Sequence, residues 1–351
     1  MKKLNLKKTT RQNFLTYGLV IIAFAILQTM ISSGSITSSL KGMLVPICAY
    51  VVMAISLNLT VGVLGELSLG HAGFMSVGAF TGVTAAIALQ NLIPSAPIRL
   101  AIGMIVGAIF AAIAGFLIGI PVLRLKGDYL AIVTLAFGEI IKSVFNNLYV
   151  GIDTHGFRFS MLSDKTHLHE GGKLIIGGPM GIGGIQKIST FTAGFILVMI
   201  TLLVVFNLVN SRSGRAIMAI RDNRIAAESI GVNVTKYKMM AFVTSAAMAG
   251  AAGALYGLNY SNMAASKFDF NTSILVLVFV VLGGLGRIWG SVVAAIILYV
   301  LPEALREFAD YRMLVYAIVL ILVMLATNSP KIRNLMVKII PRRGKGESTH
   351  G

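Results

Sequence analysis

The chain of 351 residues is 56% hydrophobic and only 12% charged, and its formal net charge is +17. Soluble domains carry about 25% charged residues, so a water-soluble globular fold is excluded. A nucleic-acid binder gathers its basic residues on one folded surface; here they fall in short segments between apolar runs, which excludes that class too.

The basic opening "MKKLNLKKTTRQ" precedes an apolar run over 14–31. That run is too long for the core of a cleaved signal peptide and has no small-residue cleavage site, so it reads as a first span. Further apolar runs cover 43–61, 67–89, 98–122, 129–150, 191–209, 239–260, 271–284, 288–305 and 313–328. A helix needs about 20 such residues to cross a bilayer. The runs are continuous and do not alternate, which argues against a β-barrel. The expected fold is an all-α polytopic membrane protein, a helical bundle of about ten spans. The range is about eight to ten, because "VGVLGE" alone divides 43–61 from 67–89 and "LGR" alone divides 271–284 from 288–305. Either pair is two full spans or one re-entrant or broken element. The single cysteine, Cys48, lies inside an apolar run and reads as a buried, inert thiol.

Lys and Arg concentrate in cytoplasmic segments. With the N-terminus inside, the inner segments hold 20 of the 30 Lys and Arg and the outer segments nine, and Lys142 sits within a span. Both termini are therefore expected in the cytoplasm. The organisation is a basic N-terminus (1–13), a transmembrane domain (14–328) and a basic cytoplasmic tail (329–351) whose end, "PRRGKGESTHG", reads as disordered. Two loops are long, one outside at 151–190 and one inside at 210–238. His167 and His169 in the outer loop sit in a polar stretch and read as solvated side chains, not as a metal pair.

Within the spans, Gly103, Gly107, Ala111, Gly115 and Gly119 recur every four residues, and a second stripe runs through Ala249, Gly253 and Gly257. Small residues let helices approach closely in lipid, so the stripes mark either a tightly lined pathway or helix packing. Glu139 and Lys142 are three apart on one helix face. Charges inside a span point to function; mutual neutralisation is the other reading. "LSLGHAGFMSVGAF" (67–80) places His71 among Ser68, Gly70, Gly73, Ser76 and Gly78. Its ring is a proton carrier, a substrate contact or, while neutral, a hydrogen-bonding group between close helices.

The inner loop carries "RDNRIAAESIGV". Asp222 is expected to cap a short helix and Gly231 to end it. Ala226, Ala227 and Ile230 would form a small apolar face, suited to a groove on a partner protein more than to deep lipid burial. No G-x-x-x-x-G-K-[ST] phosphate loop is present, and "GKGES" in the tail does not match it, so nucleotide energy must come from another chain.

Taken in order, "LNLTVGVLGELSLGHAGFMSVGAF", "LKGDYLAIVTLAFGEIIKSVFNNL", "GGPMGIGGI", "SRSGRAIMAIRDNRIAAESIGVNVTKYKMMAFVTSAAMAGAAGALYG" and "LGGLGRIWGSVVAAII" resemble the membrane permease subunits of ABC importers for branched-chain amino acids, the LivM type. The resemblance runs from about Leu44 to Ser329. It implies a multi-pass, cell-membrane transport subunit that is not itself an enzyme and needs no cofactor or metal. It would work with two ABC ATPase subunits, a second related permease and an extracytoplasmic solute-binding protein. Leucine, isoleucine and valine are the implied substrates, with urea or short amides as the alternative within the family. The inner loop resembles the ATPase-coupling segment, which implies coupling roles for Arg221, Asp222, Arg224, Ala226, Ala227, Glu228 and Gly231; here the usual E-A-A order is permuted to Ala226-Ala227-Glu228. Ser68, His71, Ser76 and Glu139 are the expected residues of the translocation path. A secondary transporter using Glu139, Lys142 and His71 as a proton relay is the competing class, and no charged ring or filter motif supports a channel.

Overall fold

The computed structural model describes residues 8–34, 37–125, 127–153, 156–161 and 173–305, with the isolated residues 314, 317, 318 and 321. The expected tail (329–351), most of the expected span 313–328, the first seven residues, His167 and His169 lie outside the described residues. The chain divides into two units, Met1–Ile297 and Leu298–Gly351. The account that follows is of the first.

The helices are α1 (Lys8–Ser32), α2 (Ser38–Asn58), which continues into a π-helical turn (Leu59–Leu64), α3 (His71–Ala88), α4 (Ala96–Val122), α5 (Asp128–Asn146), α6 (Phe191–Asn210), α7 (Arg212–Asp222), α8 (Arg224–Ser229), α9 (Val234–Gly257), α10 (Phe270–Gly283) and α11 (Ile288–Ala304). Among the described residues, six helical stretches are long and apolar enough to cross a membrane: Leu40–Leu64, His71–Ala88, Ala96–Val122, Phe191–Asn210, Val234–Gly257 and Ala265–Gly283. The polytopic helical class therefore holds, with six such spans where the apolar runs predict eight to ten. The apolar parts of α1 and α11 are shorter, and α5 carries Asp128, Glu139 and Lys142. Both doubtful pairs are separate helices. One is joined through Gly65 (φ +82°) and the other through Gly284 (φ +94°) and Gly286 (φ +76°).

The centre is the packing of α3, α4 and α9, and the small residues explain it. Gly103, Gly107, Ala111, Gly115 and Gly119 are all buried on one face of α4, while Ile105, Ile109, Phe110, Ile113, Phe116 and Leu117 are exposed on its other side. A Cβ on Gly78 would overlap the backbone of Gly250, one on Gly250 the carbonyl of Gly107, and one on Gly107 the carbonyl of Gly78. Three helices thus meet backbone to backbone. Dispersion and close packing, rather than water exclusion, hold helices together in lipid. The stripes are packing seams.

The loop 151–190 departs from the all-helical expectation. It forms most of a five-stranded sheet, with strands β1 (Leu148–Asp153), β2 (Gly156–Met161), β3 (Lys173–Gly177), β4 (Ile182–Gly183) and β5 (Asn262–Met263) in the order β2-β1-β3-β4-β5. All pairs are antiparallel, with Val150 opposite Ile176 and Ile176 opposite Ile182. These three side chains are buried, which gives the small sheet one apolar face.

Contacts sort the connections into two groups. Arg221 bonds Gly62 and Lys238 bonds Glu66, joining two segments expected inside, and Gly286 of a third such segment bonds Asn58 at the end of α2. The segment 151–190, expected outside, accepts from Arg99 at the start of α4 through Gln186, donates to Leu258 at the end of α9 through Ile188, and pairs β4 with β5. Lys238 lies near the start of α9 and Leu258 just after its end. At 1.5 Å per residue that helix is about 36 Å long, so the groups sit at opposite ends of a membrane-length element.

Candidate functional site

The segment 210–238, expected inside, is built from three helices, each with its own cap. Ser211 accepts from the Gly214 amide (3.1 Å) at the start of α7, and Asn233 accepts from Lys236 (3.0 Å) at the start of α9. Between them the chain breaks at Asn223, whose Oδ1 accepts from the Ala226 amide (3.1 Å) and so caps α8. The expected cap, Asp222, holds the Arg221 guanidinium instead, with Nε at 3.0 Å and Nη2 at 2.9 Å from its Oδ1. Asn223 has the extended backbone an N-cap needs (φ −156°, ψ 103°), whereas Asp222 is still inside α7. Gly231 ends α8 with φ +83°, as its residue type predicts.

The apolar face of α8 also differs from expectation. Ala227 is buried within this chain against Ile220 and Val234, with Val232 and Tyr237 beside them. Ala226 is exposed, as are Ile225 (77%) and Ile230 (78%). Arg224 and Glu228 pair across one turn at 3.0 Å. The outward surface is therefore Ile225 and Ile230 flanked by an ion pair, presented by a short helix and its C-cap residue.

Two bonds tie this segment to the core. Arg221 Nη1 donates to the Gly62 carbonyl in the π-turn at 3.0 Å. Lys238, 4% exposed at its side chain, pairs with Glu66, 15% exposed. Gly62, Glu66 and Lys238 are not among the site residues the sequence singles out. A signal exists for one of them: Glu66 is the only acidic residue before Asp128.

Downstream of Glu66, the histidine motif is sealed in the bundle. His71 opens α3 and is buried, as are Ser68 and Ser76. Its Nε2 lies 2.7 Å from Ser56 Oγ. The same hydroxyl donates to the Met53 carbonyl (2.9 Å), and Ser245 donates to the Ser56 carbonyl at 2.5 Å. Ala72 donates to Ser273 Oγ (3.1 Å) and Leu69 to Thr134 Oγ1 (3.0 Å). A Cβ on Gly70 would strike the Thr134 backbone, so glycine there sets the approach of α5. The hydroxyls of Ser68 and Ser76 have no hydrogen-bond partner among the described residues.

Unlike these three, Glu139 is only partly buried. Its Oε2 accepts from Lys142 Nζ at 2.7 Å, and its Oε1 accepts from the Phe270 amide at 3.3 Å. Asp269 caps α10 beside it, accepting from the Thr272 amide at 2.9 Å. Glu139, Ala72, Gly73, Asp269 and Ser273 line a narrow cleft between α3, α5 and α10, which has no room for a water-sized sphere. The cleft adjoins the histidine motif through Ala72 and Ser273, so Glu139 and the His71 region are neighbours. No group of three metal-ligating side chains occurs among the described residues.

The family model described as "Branched-chain amino acid transport system / permease component" matches residues 39–324. The chain is 34% identical over 327 residues to the high-affinity branched-chain amino acid transport system permease protein LivM of Salmonella typhimurium, covering 90% of this chain and 74% of that protein. It is also 34% identical to LivM of Escherichia coli over 328 residues, with the same shares covered. Identity to the LivH permease protein of the same system in Salmonella typhimurium is 28% over 284 residues, covering 79% of this chain and 88% of that one. No solved structure matches the chain.

Proposed function

The chain belongs to the family of branched-chain amino acid transport system permease components, multi-pass proteins of the cell membrane, and from that premise we propose that it is the permease subunit of an ATP-driven importer of leucine, isoleucine and valine. It forms the translocation path together with a second, related permease, as the likeness to both LivM and LivH suggests. Two ABC ATPases hydrolyse ATP for it, and an extracytoplasmic binding protein delivers substrate to the end that carries the sheet. Both termini and the segment 210–238 face the cytoplasm, and residues 14–328 form the membrane domain.

The observation that carries this reading is the geometry of α8. A six-residue helix and the residue that caps it expose Ile225 and Ile230, a form suited to a groove on a partner. Arg221, Asp222, Arg224, Glu228 and Gly231 hold the shape of that helix and its junction, Ala227 roots it, and Ala226 lies on its open side. ATP-driven closure of the ATPases would push the segment and switch the bundle between inward- and outward-facing states. Glu139 lines the path at the α3–α5–α10 cleft, with Ser68, His71 and Ser76 forming the polar wall behind it, which opens during the switch.

Reconstitution tests the proposal. Proteoliposomes holding this chain, the second permease, the ATPases and the binding protein should take up leucine only with ATP. Concentrative uptake by the chain alone would overturn it. Uptake that survives ATPase inactivation and collapses with the proton gradient would assign Glu139, Lys142 and His71 to an ion-coupled transporter instead. Uptake of urea or short amides in place of leucine would move the substrate within the family.

A further inference from the structure

The turn between α2 and α3 receives contacts from three distant parts of the chain. Gly62 lies in the π-turn, where its carbonyl accepts from Arg221 at the end of α7. A Cβ on Gly62 would overlap Asn58 Oδ1 and the Gly286 amide, so glycine is what lets the α10–α11 connection seat there. Asn58 locks that seat, accepting from the Gly286 amide at 2.8 Å and donating to Ser291 Oγ at 2.7 Å. Four residues after Gly62, Glu66 pairs with Lys238, the fifth residue of α9. The segment 210–238 is thus fastened to one turn at two points, through Arg221 near its break and through Lys238 at its end.

A buried ion pair is a poor device for stability alone, because desolvation offsets most of its attraction and a packed apolar pair does as well. What it provides is register: two groups 172 residues apart can satisfy each other in one arrangement only. A π-helical turn suits a moving part, since its backbone hydrogen bonds are looser than those of an α-helix and such turns cluster at functional sites. Six residues separate the turn from His71 and the start of α3.

We propose that the Arg221–Gly62 and Lys238–Glu66 contacts form a two-point joint that passes displacement of the inner segment 210–238 into the π-turn and the start of α3, which makes Glu66 and Lys238 positioning residues for transport. The inference rests on the reading of 210–238 as the coupling segment.

The test uses the complete importer in proteoliposomes and measures leucine uptake and ATP hydrolysis on the same preparation. The wild-type complex is the first arm: if its uptake does not need ATP, the coupling reading itself fails. Where wild-type uptake is ATP-driven, Glu66→Gln and Lys238→Met should each lower the leucine moved per ATP about tenfold, within the range of coupling energies between contacting groups. The charge swap E66K/K238E should recover most of that loss, and the apolar pair E66M/K238M, which restores packing without register, should not. An unchanged ratio in both single variants, or recovery by the apolar pair but not by the swap, would overturn the joint. If Glu66→Gln does not assemble, Arg221→Gln tests the other point on a side chain 38% exposed; an unchanged ratio there overturns it equally.

Discussion

His71 and Ser56 meet inside the bundle with Nε2 and Oγ 2.7 Å apart. The Ser56 proton is directed to the Met53 carbonyl, so the hydroxyl accepts and the ring donates. A neutral donor is all this contact asks for, and glutamine supplies one. His71→Gln should keep uptake near the wild-type level, whereas His71→Leu should lower stability by about 1 kcal/mol, the net worth of one such bond, read as a lower melting temperature in detergent. Loss of uptake in His71→Gln with normal assembly and melting would show that the ring's own proton chemistry is needed.

The contact among Gly78, Gly250 and Gly107 predicts a steep dependence on side-chain size. Gly78→Ala and Gly250→Ala force apart helices that touch through backbone, and overpacking of this kind costs about 1–3 kcal/mol. Gly18 in α1 has open space on its side-chain side, with nothing within 4 Å of where a Cβ would stand, so Gly18→Ala should leave melting unchanged or raise it. Equal melting of all three variants would refute the packing role of the stripe.

The membrane-spanning helical class and this seam were legible because both depend on local periodicity, apolar runs of membrane length and small residues four apart on one face; the number of spans was not, since the apolar parts of α1 and α11 are short and α5 carries charge. The contacts among Gly62, Glu66, Arg221, Lys238 and Gly286 bring together segments that the Lys and Arg count assigns to one side. The sheet was not legible, because β4 and β5 are two residues each and pair across the whole of α6 to α9. The Glu66–Lys238 pair was hidden for the same reason, since no local pattern reports a partner 172 residues away. Capping by Asn223 in place of Asp222 turned on one residue of backbone conformation, and the burial of Ala227 on tertiary contacts with Ile220 and Val234.

The split face of α8 separates two effects that a scan of the segment would otherwise merge. Ile225 and Ile230 are exposed, so Ile225→Asp and Ile230→Asp should leave the melting of the isolated chain unchanged yet abolish co-purification with the ATPases. Alanine at either position should weaken that association about tenfold, as for a moderate interface anchor. Ala227→Asp should behave in the opposite sense and destabilise the chain itself, because it buries a charge between Ile220 and Val234. Ile225→Asp with full ATPase binding would remove α8 from the docking surface.

Glu139 and Lys142 are 2.7 Å apart, so either single neutralisation leaves an unpaired charge within the span and should cost about 2–3 kcal/mol of stability. If charge balance within the span were the whole role, removing both charges together would be harmless. The second oxygen of Glu139 also accepts from the Phe270 amide and faces the cleft that Asp269 and Ser273 line. The double variant E139Q/K142M should therefore regain normal melting and assembly but not uptake, while Lys142→Met alone should retain part of it. Restoration of uptake by the double variant would reduce the pair to mutual neutralisation and take Glu139 out of the path. Loss of uptake in a complex of normal stability would keep it there, since the span would then tolerate the missing charge and only the cleft would not.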